Sequence, residues 1–187
     1  MRKWLLLALA LLLALPTALA EAGAFVDVAG EYDFSSGAGA WYTGLTIQED
    51  GSFTGIYMDT DMEDGELDGV HYDATTYYCD FSGQLSRLEH ASAQEMDCTV
   101  LELNYDMPEP SVEDGILIQS VEPYGIGQGD AIRFFMRGAL VSAIPEELWN
   151  WLRFKEVDPD WETLPYVALY DETSGAGFSG TIPAEGE

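Results

Sequence analysis

Six carboxylates fall within ten residues, Asp59, Asp61, Glu63, Asp64, Glu66 and Asp68. Acids at alternating positions beside glycine can converge on calcium, which takes roughly six to eight oxygen ligands. Asp59, Asp61 and Glu63 match the first, third and fifth positions of an EF-hand loop. Asp64 stands where that loop requires glycine, and no acid follows at the twelfth position, near His71. Asp59, Asp61, Glu63 and Asp64 are therefore the candidate calcium ligands, set against the plainer expectation of a solvated acidic loop. His71 and His90 are the two histidines of the sequence. His71 borders the acidic run, as a salt-bridged surface histidine would. His90 suits the end of a strand. The sequence contains neither G-x-S-x-G nor H-E-x-x-H, the local signatures of a serine elbow and a zinc protease. A hydrolase of unknown class stays only as a remote alternative, and the expectation is a protein that is not an enzyme.

Cys79 and Cys98 are the two thiols, 19 residues apart in segments that both read as strands. A bridge between them would stabilise by roughly 3 kcal/mol on the chain-entropy account; the alternative is two buried free thiols. The aromatic residues Trp41, Phe53, Tyr57, Tyr77 and Phe81 are candidate ligand-lining side chains, because an eight-stranded barrel can hold one small ligand. Core packing is the competing role for each of them.

The elements that must position these residues are short and alternating. Trp41, Thr43, Leu45 and Ile47 share one face of a strand, and a second run follows Glu49-Asp50-Gly51. A two-residue turn would send Phe53 to the face of Gln48. A three-residue loop with Gly51 left-handed pairs Ile47 with Phe53 and gathers Trp41, Leu45, Ile47, Phe53 and Tyr57 on one buried face. Further strands are expected over 74–82 (extending as a bent segment to 90), 96–105, 116–121, 130–137, 166–170 and 178–182. In the second of these, Leu101, Leu103 and Tyr105 should share a face. Pro145 at a first helical position, followed by Glu146 and Glu147, predicts one helix over 145–154. The expected fold is all-β: an antiparallel, lipocalin-like barrel of about eight strands with one short late helix. A two-sheet β-sandwich is the alternative.

Several stretches carry a resemblance: Phe34-Ser35-Ser36-Gly37-Ala38-Gly39-Ala40-Trp41, the run from Leu45 through Asp50-Gly51 to Tyr57, Cys79-Asp80-Phe81-Ser82-Gly83, Ile144-Pro145-Glu146-Glu147 and Leu169-Tyr170-Asp171. Together they resemble a group of secreted or lipid-anchored proteins of Firmicutes without an assigned function. The resemblance implies export and a β fold, and no activity. The lipid-anchored members begin with a cysteine after the leader, which this sequence lacks.

The first twenty residues read as a secretory leader. Arg2 and Lys3 precede an apolar run from Trp4 to Leu15, Pro16 breaks it, and Ala18-Leu19-Ala20 supplies a small-x-small cleavage site. The run is too short to span a bilayer, so residues 21–187 should form a single acidic domain outside the cytoplasm, with no membrane insertion after cleavage. The full chain carries a net charge of −27. Beyond the leader, 34 acidic residues face Arg87, Arg133, Arg137, Arg153 and Lys155 alone. Such a surface repels nucleic acid and anionic lipid and admits cations and basic partners. The functional expectation is an exported binding or structural module. Its partner would be a small apolar ligand or an extracellular protein, and a calcium-stabilised domain is the second reading. N-terminal sequencing of the exported protein should begin at Glu21; a start at Met1 in the culture medium would refute the leader.

Overall fold

The computed structural model describes residues 25–155 and 160–181. The expected leader, its expected cleavage site at Ala20 and Ile182 lie outside the described residues. Among the described residues there are thirteen strands: β1 (Gly30–Ser35), β2 (Trp41–Ile47), β3 (Ser52–Asp61), β4 (Gly65–Leu67), β5 (Val70–Tyr72), β6 (Ala74–Leu85), β7 (Glu89–Ser92), β8 (Glu95–Tyr105), β9 (Ser111–Glu113), β10 (Ile116–Ser120), β11 (Ala131–Phe135), β12 (Ala168–Asp171) and β13 (Gly177–Gly180). One α-helix, α1 (Glu146–Lys155), precedes β12.

Eight strands close a ring in chain order, β1-β2-β3-β6-β8-β11-β12-β13, and β13 returns to β1; every pair in the ring is antiparallel. The ring is an all-β barrel, and its closure excludes the sandwich. The remaining strands lie outside it. β7 adds to β8, β10 runs parallel to the first half of β6 with β9 beside it, and β4 and β5 form a separate hairpin.

The β2–β3 hairpin has the three-residue loop that burial demands. Ile47 pairs with Phe53 and Leu45 with Gly55, and Gly51 sits at φ 79°. The Asp50 carboxylate fastens the loop by accepting bonds from the Ser52 N–H (2.9 Å) and hydroxyl (2.6 Å). These register rows, read across β2, β3 and β6, explain why the barrel is solid. Ile47, Phe53 and Gly83 form one inward row, and Leu45, Gly55 and Phe81 the next. A Cβ on Gly83 would clash with the Phe53 ring and the Glu102 carbonyl, and one on Gly55 with the Phe81 ring and the Gly44 carbonyl. Each ring therefore occupies the space a side chain on the neighbouring strand would need. Tyr32, Phe34, Phe134 and Phe178 fill the opposite wall, all at most 4% exposed. Large rings beside glycines bring the narrow interior to close-packed density.

Helix α1 covers the outer face of β13, where Leu148 and Trp151 come against Gly177. Leu148, Leu152, Leu164, Tyr166 and Ala168 make a second apolar cluster there. The helix runs one residue later than the expected 145–154: Pro145 immediately precedes it, and Glu146 and Glu147 stand in its first turn.

Two details depart from the sequence expectation. Leu101 does not share a face with Leu103 and Tyr105. The register slips by one residue where Leu85 meets Val100 and Gln84 meets Glu102, making Leu101 the extra residue of a bulge, 53% exposed. The slip lets Met96, Cys98 and Val100 face inward on one half of β8, and Leu103 and Tyr105 on the other. The segment from Ala74 is also one continuous strand to Leu85, with residues 89–92 forming the separate outer strand β7. Replacing Phe134 by Ala should cost about 3–5 kcal/mol, and Gly83→Ala should cost about 1–3 kcal/mol by overpacking against Phe53. Urea melts would check both; an unchanged Gly83→Ala midpoint would mean that the interior can give way.

Candidate functional site

The two rows beyond Leu45 reach one rim of the barrel and bring sequence candidates together. Thr43, Tyr57 and Cys79 form the inner of these rows; Trp41, Asp59 and Tyr77 form the outermost. Cross-strand partners share a face, so a carboxylate stands between two aromatic residues on the inward side of the rim. The Tyr57 hydroxyl donates to Asp59 Oδ2 at 3.4 Å. Burial, then the charge and hydrogen bond of Asp59, with smaller contributions from Tyr124 and Tyr77, push the Tyr57 phenol up to about 12.

Residues 121–130, between β10 and β11, cross this rim. The Thr43 hydroxyl, fully buried, donates to the Tyr124 carbonyl at 2.8 Å. The Tyr124 ring lies 5.1 Å from Trp41 edge-on, 5.6 Å from Phe34 in a stack and 6.2 Å from Tyr57. Trp151 of α1 completes the group from the other side, 4.8 Å from Phe34, with its indole N–H donating to the Gly175 carbonyl at 3.0 Å. Ile126 pins the crossing segment into the core. Gly125, at φ 86°, lets the backbone pass over Phe34, whose ring would be 2.8 Å from a Cβ there. Tyr124 itself stays 48% exposed. It is the member that sequence reading missed, because no alternation marks an irregular segment.

Of the five candidate ligand-lining residues, Trp41, Tyr57 and Tyr77 meet at the rim, partly exposed. Phe53 and Phe81 do not; they are 2% and 4% exposed and pack edge-to-face at 6.5 Å in the interior.

The acidic run does not form a calcium loop. Asp59 and Asp61 lie within β3, where alternate residues stand about 7 Å apart. An extended strand does not curl these acids around one ion as a glycine-containing loop would. The Asp59 carboxylate accepts from the Thr60 N–H (2.7 Å) and Asp61 from the Glu63 N–H (3.2 Å), while Glu63 and Asp64 are exposed. Among the described residues no three His, Cys, Asp or Glu side chains converge as metal ligands.

Cys79 and Cys98 are free and buried, so the expected bridge is absent. The register shows why. Phe81 faces Tyr105 and Leu85 faces Val100, which places Cys79 and Cys98 beyond opposite ends of the shared ladder. Eight strand positions separate them, about 25 Å, against a limit of about 7 Å between Cα atoms for a disulfide. Burial, with Asp80 and Glu122 behind it, pushes the Cys79 thiol up to about 11; burial and Asp97 push Cys98 up to about 12.

His71 is exposed, 3.2 Å from Asp73 Oδ1 and 3.0 Å from the Gly65 carbonyl, the surface contact its neighbourhood suggested. His90 is exposed on β7. At the opposite side of the rim, Asp171 ends β12 as a fully buried carboxylate. Its Oδ1 accepts from the N–H groups of Thr173 (2.7 Å) and Ser174 (3.1 Å).

Comparison with protein families, curated proteins and solved structures gives no match. In the folded protein at pH 8, neither thiol should react with a disulfide reagent over minutes, and both should react in denaturant. Rapid labelling of either, or a denatured chain without two thiols, would contradict the buried free pair.

Proposed function

We propose that the protein is an exported, non-enzymatic binding module that takes a cationic group of the alkylammonium class at its aromatic rim. The reading rests on the outermost row, Trp41-Asp59-Tyr77, with Tyr57 beneath it and Tyr124 across it. A carboxylate amid aromatic rings supports capture of an ammonium ion, because the rings attract the cation through their faces and the acid neutralises it. The chain's net charge of −27 draws such ligands toward it and repels anions. The interior favours this rim over a lumen site, since the rings of Phe53 and Phe81 occupy the space beside Gly83 and Gly55. The leader read in the sequence supports export.

Choline and its neutral isostere 3,3-dimethylbutan-1-ol provide the test. Choline should perturb the Trp41 indole signal in NMR spectra, the neutral compound should not, and added salt should weaken the response. Tyr124→Ala and Asp59→Asn should each weaken choline binding about fivefold or more. An equal response to both compounds, or a response that survives both substitutions, would sink the cationic reading.

A further inference from the structure

Asp171 is an inward-facing carboxylate in a barrel whose other inward positions near it are apolar. It pairs across strands with Ile132 and follows Leu169 on the same face. Two backbone N–H groups satisfy Oδ1, but Oδ2 has no hydrogen-bond donor and no solvent contact. An ionised oxygen in that position carries a large desolvation cost.

The group set against it is another acid. Asp130 lies two residues before Ile132, the diagonal neighbour of Asp171 on the same face, and the two carboxyl groups are within hydrogen-bonding reach. Two carboxylates in contact cannot both stay ionised at little cost; one proton between them turns repulsion into a bond. The surrounding charges do not relieve the pair. Arg133 on β11 turns outward, to Asp97 at 2.8 Å and Glu172 at 3.3 Å. Glu172 follows Asp171 in the chain, Glu147 of α1 acts on neighbouring Tyr170, and Glu122, with Tyr105, lines the cleft of about 310 Å³ beside Asp130. Burial, then the contact with Asp130, raises the Asp171 carboxyl to about 6, against the opposing pull of the Ser174 and Thr173 N–H groups and the Ser174 hydroxyl.

Asp130 is also the far anchor of the segment that carries Tyr124. Its carbonyl accepts from Val100 N–H at 3.0 Å, its N–H reaches the Gly127 carbonyl at 3.2 Å, and Gly129 N–H donates to Val100 at 2.8 Å. The partner acid sits in the β12–β13 turn, whose Gly175 carbonyl holds Trp151. The pair thus joins the two pieces of chain that meet over the rim.

We infer that Asp130 and Asp171 form an acid-set clasp: a shared proton holds residues 121–130 against the β12–β13 turn with Tyr124 seated, and its loss loosens that segment. The inference adds regulation to the rim site; its link to ligand binding rests on the cationic reading, while the clasp itself does not. The direction follows from linkage. Folding favours the protonated form, so the stabilisation is fully present below about pH 4 and is lost as pH rises through about 6.

Amide exchange of the full chain without ligand, corrected for the intrinsic rate at each pH, reads the clasp directly. Between about pH 4.5 and 7.5, protection over 121–130 should fall roughly tenfold in the wild-type protein. In Asp171→Asn it should stay flat and high, since the amide donates permanently to Asp130. Asp130→Asn repeats the test from a partly exposed position, should Asp171→Asn fold poorly. A flat wild-type profile, or an undiminished pH dependence in Asp130→Asn, overturns the clasp. Restoration of protection at pH 7.5 by millimolar calcium would put a metal in place of the proton and also overturn it. Choline affinity at the two pH values then reads the link to the rim: it should be higher at the acid end in wild-type protein and insensitive in the Asn variants. Loss of choline binding at both pH values with the exchange pattern intact would fail the ligand reading alone.

Discussion

The interlock of aromatic rings with glycines on adjacent strands is the constraint on which the barrel depends. Phe53 over Gly83 and Phe81 over Gly55 are complementary pairs, and neither half works alone. Glycine in a strand gives up packing area and chain stiffness. Here that loss is offset by two rings, each 4% exposed or less. The same interlock fixes register. Sliding β3 against β6 by one residue would turn the alternate face inward, and a two-residue slide would set Phe53 opposite Phe81 or Gly55 opposite Gly83. Because the interior is filled, chemistry is displaced to the ends of the barrel, where the inward rows run out of apolar partners.

That displacement accounts for the unusual composition of one rim. Moving outward along β3, the inward positions read Phe53, Gly55, Tyr57, Asp59, a passage from core to water within four alternate positions. β12 makes the same passage over a shorter distance, from Leu169 to Asp171, but there the acid remains buried. The difference lies in what covers each position. Asp59 is left partly open beneath Tyr124, whereas Asp171 is enclosed by its own turn and by the segment ending at Asp130. Two acids of one type at one end of one barrel thereby acquire different chemistry.

The hairpin from Trp41 to Asp59 was legible in the sequence because burial decides its register: only one loop length places Phe53 and Tyr57 with Leu45. Strand alternation likewise exposed Ile132 with Phe134, and Pro145 marked the helix. The bulge at Leu101 was not legible. An extra residue in a strand costs the pattern one step, and Leu101, Leu103 and Tyr105 keep an unbroken alternation in the sequence while the partner strand forces the slip. The cysteine pair failed for a related reason: spacing along the chain says little about spacing across a ladder whose register is unknown. At the candidate site, Trp41, Tyr57 and Tyr77 were visible as aromatics in strands, but Asp59, at the strand end, was read as a calcium ligand, and Tyr124 and the Asp130–Asp171 contact depend on an irregular crossing that periodicity cannot reveal.

Closing a ring of eight strands ordinarily removes every free sheet edge, yet this chain reintroduces two by laying β7 on β8 and β9 on β10. Both are short: Glu89–Ser92 is exposed along its length, and Ser111–Glu113 is three residues long with an acid at its end. Short, wet, negatively charged borders make poor templates for a neighbouring molecule's backbone. In a chain carrying a net charge of −27, two copies approaching border to border would also repel before their amides could meet. The extra strands therefore enlarge the barrel's outer surface without inviting the protein to assemble with itself.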